Sequence, residues 1–298
     1  MTHPSAESPS ASARILVVCV VFNPGDELRD FGRSLATATT RDVDLVIVNN
    51  SGPSEVAQEV ADSLGGTVID GGGNVGYGAA SNAGARTTSA EWIVVANPDL
   101  VWEPGSLDVL LAAAEAHPEA GSLGPQLLNS DGTTYASARA IPSLRQGAGH
   151  ALLGRVWPSN PWSRAYRREH EHAGTDERAV GWLSGACLLL RRDAFEQIAG
   201  FDESYFMFFE DLDLGERLRD AGWINLYVPA ARVTHVQGVS WKAKPEPMIR
   251  AHHASARHYL HNRYSGPAFA PLRFVISAAL SARERLEIRR ARASRPHA

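Results

Sequence analysis

Sulfur is scarce in this chain: two cysteines and three methionines in 298 residues. Cys19 and Cys187 each sit inside an apolar run, which excludes a disulfide framework or a cysteine-held zinc and predicts two buried free thiols of a reducing compartment. Long apolar runs are lacking too. Ile15–Phe22 is eight residues, against the roughly 20 a membrane-spanning helix needs. Residues 1–13 have neither a basic start nor an apolar centre and read as a disordered arm, not a leader peptide. No Lys-Ser/Thr follows the glycine-rich run 71–78, which rules out a Walker loop, and that run does not follow the first strand as a dinucleotide fingerprint should. Nothing asks for a nucleic acid. The expected location is cytosolic or peripheral.

What is present is an ordinary globular composition, 44% hydrophobic and 21% charged, long enough for a substantial core. The net charge of −4 is unevenly spread. From Arg273 onward seven Arg face Glu284 and Glu287, so the end of the chain carries +5 and the rest −9. A basic pole on an acidic body points to an anionic surface partner.

The first half alternates apolar runs with helical spacing. Strands are expected at Ile15–Phe22, Val43–Val48, Thr67–Ile69 and Trp92–Ala96. Helices are expected from Pro24-Gly25-Asp26 through Leu28, Phe31 and Leu35, over 53–64, over 79–87 after the glycine-rich turn, and over 105–116. This βαβα succession implies an α/β fold with a mostly parallel sheet. The second half is less regular: a turn at Asp131-Gly132, a loop over 142–178, an apolar stretch 180–190 and a helix 211–221 stopped by Gly222. The expected division is an arm 1–13, one α/β domain 14–265, and an appended basic tail 266–298.

Asp99 closes the apolar run Trp92–Ala96 through Asn97-Pro98, the position where open α/β sheets bind ligands. Glu210-Asp211 opens a helix, where an ionised acid is either a cap or a general base. His235 closes a third apolar stretch and is either structural or a ligand beside Asp99. Together they suggest a cation-held diphosphate with a base beside it, the chemistry of sugar transfer from a nucleotide-sugar. Gly71–Gly78 is either a phosphate-approaching loop or a plain tight turn. Trp157 and Trp162 are either core or an acceptor lid. The segment from Ala268 is either a solvated helix or a membrane-surface element, and the second is favoured.

The order of motifs resembles glycosyltransferase family 2, with its GT-A fold, from about Ile15 to Val239. It runs through Val20-Val21-Phe22-Asn23, Val48-Asn49-Asn50-Ser51, Gly73–Gly78 with Asn82 and Gly84, Asn97-Pro98-Asp99, Trp182–Ala186, Phe209–Leu214 and His235. Val94–Asp99, Gly181–Leu189, Trp157–Trp162, Arg263–Arg273 and the arginine-rich end resemble one actinobacterial group within it, rhamnosyltransferases acting on a prenyl-diphosphate-linked GlcNAc of the cell wall. That resemblance implies an inverting, metal-dependent (Mg or Mn) transferase moving L-rhamnose from dTDP-L-rhamnose to the acceptor's 3-hydroxyl at the inner face of the cytoplasmic membrane. It implies Asp211 as catalytic base and Asp99 and His235 as metal ligands. It places Phe22, Asn49, Asn74, Gly76, Asn97 and Asp99 toward the nucleotide-sugar, and Trp182, Gly185 and Glu210 toward the acceptor. Two departures stand out: Asn97 and Asn49 occupy places where relatives usually carry Asp. The alternatives are a family 2 transferase with another donor, or a catalytically silent carbohydrate-binding protein.

Overall fold

A computed structural model describes residues 14–142, 176–236 and 245–293. The arm 1–13, most of the 142–178 loop with Trp157 and Trp162, and Val239 lie outside the described residues. The first half follows its apolar pattern closely. Strands β1 (Ile15–Val21), β2 (Val43–Asn49), β3 (Thr67–Asp70) and β4 (Trp92–Ala96) alternate with helices α1 (Asp26–Ala38), α2 (Glu55–Ser63) and α3 (Tyr77–Ala85). Then come β5 (Leu100–Trp102), α4 (Ser106–Ala116), β6 (Ala120–Leu128), β7 (Ala138–Arg139), β8 (Arg178–Val180), β9 (Trp182–Leu183) and β10 (Cys187–Arg191). Helices α5 (Arg192–Gln197) and α6 (Glu210–Asp220), the long strand β11 (Ile224–His235) and helices α7 (Pro245–Arg263) and α8 (Ala270–Ala293) complete the described chain.

The main sheet has nine strands in the order β3-β2-β1-β4-β10-β6-β11-β5, with β8 also on β11. β1 to β4, β6 and β11 run one way, while β10, β5 and β8 oppose them. The sheet is therefore mostly parallel and mixed at one side. β1 shows why it must be central. Ile15, Val17, Cys19 and Val21 enter one core with α1, α2 and α4, whereas Leu16, Val18 and Val20 enter the other with α3, α5 and α6. A strand buried on both faces needs its near-continuous Val/Ile/Leu run. Cys19 and Cys187 are free and buried in these cores, and desolvation pushes both thiols up, as their apolar surroundings predict.

The expected elements move slightly at their ends. Helix α3 begins at Tyr77, not 79, because Gly76 takes a left-handed φ of 95° and turns the chain straight into it. The apolar stretch 180–190 is three short strands, since the chain turns at Gly181 and again at Ser184–Ala186. The end of the chain is a helical hairpin. Arg257 meets Glu284 at 2.8 Å and Arg292 meets Glu246 at 2.7 Å, joining α8 to α7. Helix α7 is fastened to the body by Tyr259, whose hydroxyl donates to Glu216 at 2.8 Å, and by Ser255, which donates to the Met207 carbonyl at 2.7 Å.

Candidate active site

Sheet register builds the first corner of the site. β11 pairs antiparallel with β5, placing His235 opposite Leu100, next to Asp99. The Val236 amide then donates to the Asp99 carbonyl at 3.0 Å. Residues 136 apart in sequence are thus clamped: His235 Nε2 stands 3.2 Å from Asp99 Oδ1, with side chains 11% and 18% exposed. Asn97 joins them, its Nδ2 at 3.3 Å from the same imidazole nitrogen. Tyr135 packs edge-on against His235 at 5.9 Å, and His235 Nδ1 is buried with no hydrogen-bond partner among the described residues.

The second corner is the start of α6. Asp211 Oδ2 accepts from the Gly185 amide at 2.9 Å, and Oδ1 accepts from the Leu212 amide at 2.8 Å. The approach is close: an added Cβ at 185 would lie 3.2 Å from Asp211 Cβ. Burial pushes the Asp211 carboxyl up, while the two amides and the Arg139 charge pull it down. Glu210 is 7% exposed, and its Oε2 has no partner among the described residues. Desolvation, reinforced by the Asp211 charge, pushes it up to about 8. Two adjacent buried carboxyls cannot both ionise cheaply, so the pair favours a single charge, and the two amides that donate to Asp211 favour placing it there.

That corner is held under strain. Phe208 and Phe209 both have a left-handed φ of 67° immediately before the helix. For residues with a Cβ, each costs about 1–2 kcal/mol. Packing offsets this: Phe208 and Phe209 both meet the His252 ring, at 5.5 and 5.4 Å, and Phe209 meets Tyr259 at 5.7 Å.

The residues expected around the nucleotide are distributed along the ends of β1, β2 and the glycine-rich turn. Phe22 is 47% exposed and Asn74 is exposed. Asn49 is buried and closes its own turn: its Oδ1 accepts from the Ser51 amide at 3.0 Å, and its Nδ2 donates to the Gly52 carbonyl. Gly76 lies where a Cβ would strike the Phe206 carbonyl, so this turn is pressed against the aromatic run before Glu210. Of the residues expected toward the acceptor, Trp182 donates from Nε1 to the Ala140 carbonyl at 3.1 Å. Three residues beyond the expected set belong to the site. Asn50 donates to the Gly76 carbonyl at 3.2 Å, and Tyr77 donates to the Gly185 carbonyl at 2.6 Å. Arg139 lies over the Trp182 ring at 5.0 Å. The glycine-flanked Tyr77 offered a signal in sequence; Arg139 offered none.

The profile described as "Glycosyltransferase like family 2" matches residues 13–253. The chain is a family 2 glycosyltransferase. Over 285 residues, 92% of either chain, the transferase is 44% identical to the N-acetylglucosaminyl-diphospho-decaprenol L-rhamnosyltransferase of Mycobacterium tuberculosis. It is 26% identical over 198 residues to the rhamnosyltransferase WbbL of Escherichia coli, 64% of this chain and 72% of that one. Among solved structures it superposes on GalNAc-T7, crystallised with UDP, GalNAc and Mn2+, with a TM-score of 0.57 at 15% identity, over 76% of this chain and 44% of that one. That likeness supports the GT-A fold. No helix among the described residues of the transferase is long and apolar enough to cross a membrane.

The donor set at Asp99 and His235 fits a divalent cation. Two ligands about 2.0–2.1 Å from an octahedral ion lie roughly 3 Å apart, and Oδ1 and Nε2 are separated by 3.2 Å. Among the described residues no group of three His, Cys, Asp or Glu side chains gathers, so Asp99 and His235 by themselves offer a partial site of the kind that substrate and water complete. That is how magnesium is usually held beside phosphates.

Proposed function

We propose that the transferase moves L-rhamnose from dTDP-L-rhamnose to the 3-hydroxyl of GlcNAc in a prenyl-diphosphate-linked acceptor, inverting the anomeric centre. What supports this choice of sugar and acceptor is the 44% identity over 92% of both chains to the mycobacterial enzyme. What supports the reaction type is the setting of Asp211, whose carboxyl is backed by two amides beside a buried Glu210 that burial and the Asp211 charge push up. A carboxylate has about four lone-pair sites, so two remain for the acceptor hydroxyl. A pKa above the ordinary aspartate range makes it a stronger base.

Asp211 would take the hydroxyl proton as the oxygen attacks the sugar carbon. Gly185 and Tyr77 fix where that carboxylate points. Asp99 and His235 would hold a magnesium or manganese ion, which supplies positive charge to the departing diphosphate. Phe22, Asn49, Asn74, Gly76 and Asn97 would border the nucleotide-sugar, and Trp182, Gly185 and Glu210 the acceptor side. A donor panel of dTDP-rhamnose, UDP-galactofuranose, UDP-GlcNAc and GDP-mannose against a synthetic prenyl-diphosphate GlcNAc tests the reading. Product from dTDP-rhamnose is expected; transfer only from another donor would refute it.

The same reading places the protein at the inner face of the cytoplasmic membrane, with 14–265 as the catalytic domain and 266–298 as a basic tail on the anionic surface. At the start of the tail Phe274 and Val275 are 76% and 62% exposed, and Phe269 44%. Apolar side chains beside arginines suit the boundary between headgroups and acyl chains. Replacing Phe269 and Phe274 with Ser should reduce sedimentation with anionic vesicles about tenfold. Unchanged sedimentation would remove the membrane role of this segment.

A further inference from the structure

Helix α6 begins without the support a helix usually takes from its own chain. Its N-cap is Phe209, which offers no capping side chain, and Phe208 and Phe209 both enter it with a left-handed φ. A serine or aspartate at that place would accept from an amide of the first turn. Asp211 lies in this uncapped turn, so where its carboxylate points depends on how residues 205–209 are held from outside.

Two helices hold them. From α3 the Tyr77 amide donates to the Phe206 carbonyl at 3.0 Å. From α7 the Ser255 hydroxyl donates to the next carbonyl, that of Met207, at 2.7 Å. The two bonds grip consecutive peptide units immediately ahead of the left-handed pair. Rings of α7 close around the same turn: His252 meets Phe208 and Phe209, Tyr259 meets Phe209, and His258 meets Tyr205 at 4.7 Å. A serine within a helix ordinarily turns its hydroxyl to solvent or to the carbonyl one turn back. Ser255 is 5% exposed, and its hydroxyl crosses to another segment instead. Left-handed backbone at residues with a Cβ persists only where its surroundings over-determine it, and Ser255 supplies the α7 bond made to the backbone of this turn.

Asp211 follows Met207 by four positions, and its Oδ2 meets the Gly185 amide of a different segment at 2.9 Å. Hydrogen bonds weaken steeply with misalignment, so a relaxed turn would tip the carboxylate off that amide. We propose that Ser255 is a positioning residue of the transfer: its bond to the Met207 carbonyl holds the Phe208–Phe209 turn, and the turn sets Asp211 against Gly185. The inference rests on Asp211 being the base of the reaction read above.

Ser255→Ala tests it against Arg292→Gln, which loosens the pairing of α8 with α7 and leaves the turn untouched. The first readout is the Gly185 amide proton by NMR, taken on the protein alone, whatever the donor. Its resonance, downfield while bonded to a carboxylate, should move upfield in Ser255→Ala and stay in place in Arg292→Gln. The second is transfer from dTDP-rhamnose to GlcNAc-diphospho-farnesol. In Ser255→Ala kcat should fall about tenfold or more, as a small misplacement of a reacting group demands, with donor KM within about twofold of wild type. In an Asp211→Asn background Ser255→Ala should remove nothing further, because both act through one carboxylate. A Gly185 resonance that stays put in Ser255→Ala overturns the inference, as does a kcat that is unchanged there or falls equally in Arg292→Gln. Those results, beside an inactive Asp211→Asn, would leave the base reading standing. Near-normal transfer by Asp211→Asn would sink the base reading, and this inference with it.

Discussion

At Asp99 a carboxylate and an imidazole face each other across 3.2 Å, partly open to solvent. At Asp211 a carboxylate is sunk in the fold, held by two backbone amides and flanked by Arg139 and the buried Glu210. The first corner gathers donor atoms and leaves their partner to come from outside. The second holds its carboxylate with the protein's own backbone amides. On the proposed reading, the difference separates two tasks that a one-step displacement needs at once: neutralising a leaving group and creating a nucleophile.

The largest effect should come from breaking the second corner alone. Asp211→Asn keeps the shape but removes the proton acceptor, so kcat should fall about 10^3-fold, the scale of general-base catalysis. Binding of dTDP should stay within twofold of wild type. Near-normal turnover would show that another group takes the proton.

Breaking the first corner should look different. His235→Ala removes one of the two proposed protein donors to the cation, and losses of at least about 10–100-fold in metal affinity are typical of even indirect ligand support. The divalent concentration for half-maximal activity should rise by that factor, and dTDP binding should weaken with it. Wild-type cation dependence in this variant would detach His235 from the metal.

The two corners also differ in how readable they were. The central strands were legible because doubly buried β1 and β4 must be continuous apolar runs. Asp99 was legible because it sits at the mouth of one of them. The pairing of His235 with Leu100, by contrast, is a matter of register between strands far apart in sequence, which composition does not encode. The residues alone left His235 either structural or a ligand beside Asp99, and the family's motif order pointed to the second. Arg139 was invisible for the same reason: its nearness to Trp182 exists only through the β7–β9 pair. The left-handed Phe208 and Phe209 run against local propensity, and tertiary packing on α7 overrides it. Glu210 was placed toward the acceptor, and sequence offered no hint that it is buried and protonated, since burial of a carboxyl is set by what folds over it.

Glu210 allows the subtlest test of the contrast. Its carboxyl releases a proton near 4.5 when unfolded but near 8 in the folded protein. Below about pH 4.5 both states hold the proton and Glu210 has no pH-linked effect. As pH rises toward 8 the unfolded chain ionises and the folded one resists, so stability drains away through that window and the loss is complete above it. Glutamine has no proton to release. Glu210→Gln should therefore gain on wild type between pH 5 and pH 8 by on the order of 3 kcal/mol, roughly 6–12 °C in Tm. Reading the change in the gap between those pH values, not the gap itself, cancels any cost of burying the new amide. The expected widening ties the protonated neighbour to Asp211's lone charge. A gap that stays constant from pH 5 to 8 would mean that Glu210 ionises normally, and Asp211 would then share its corner with a second anion.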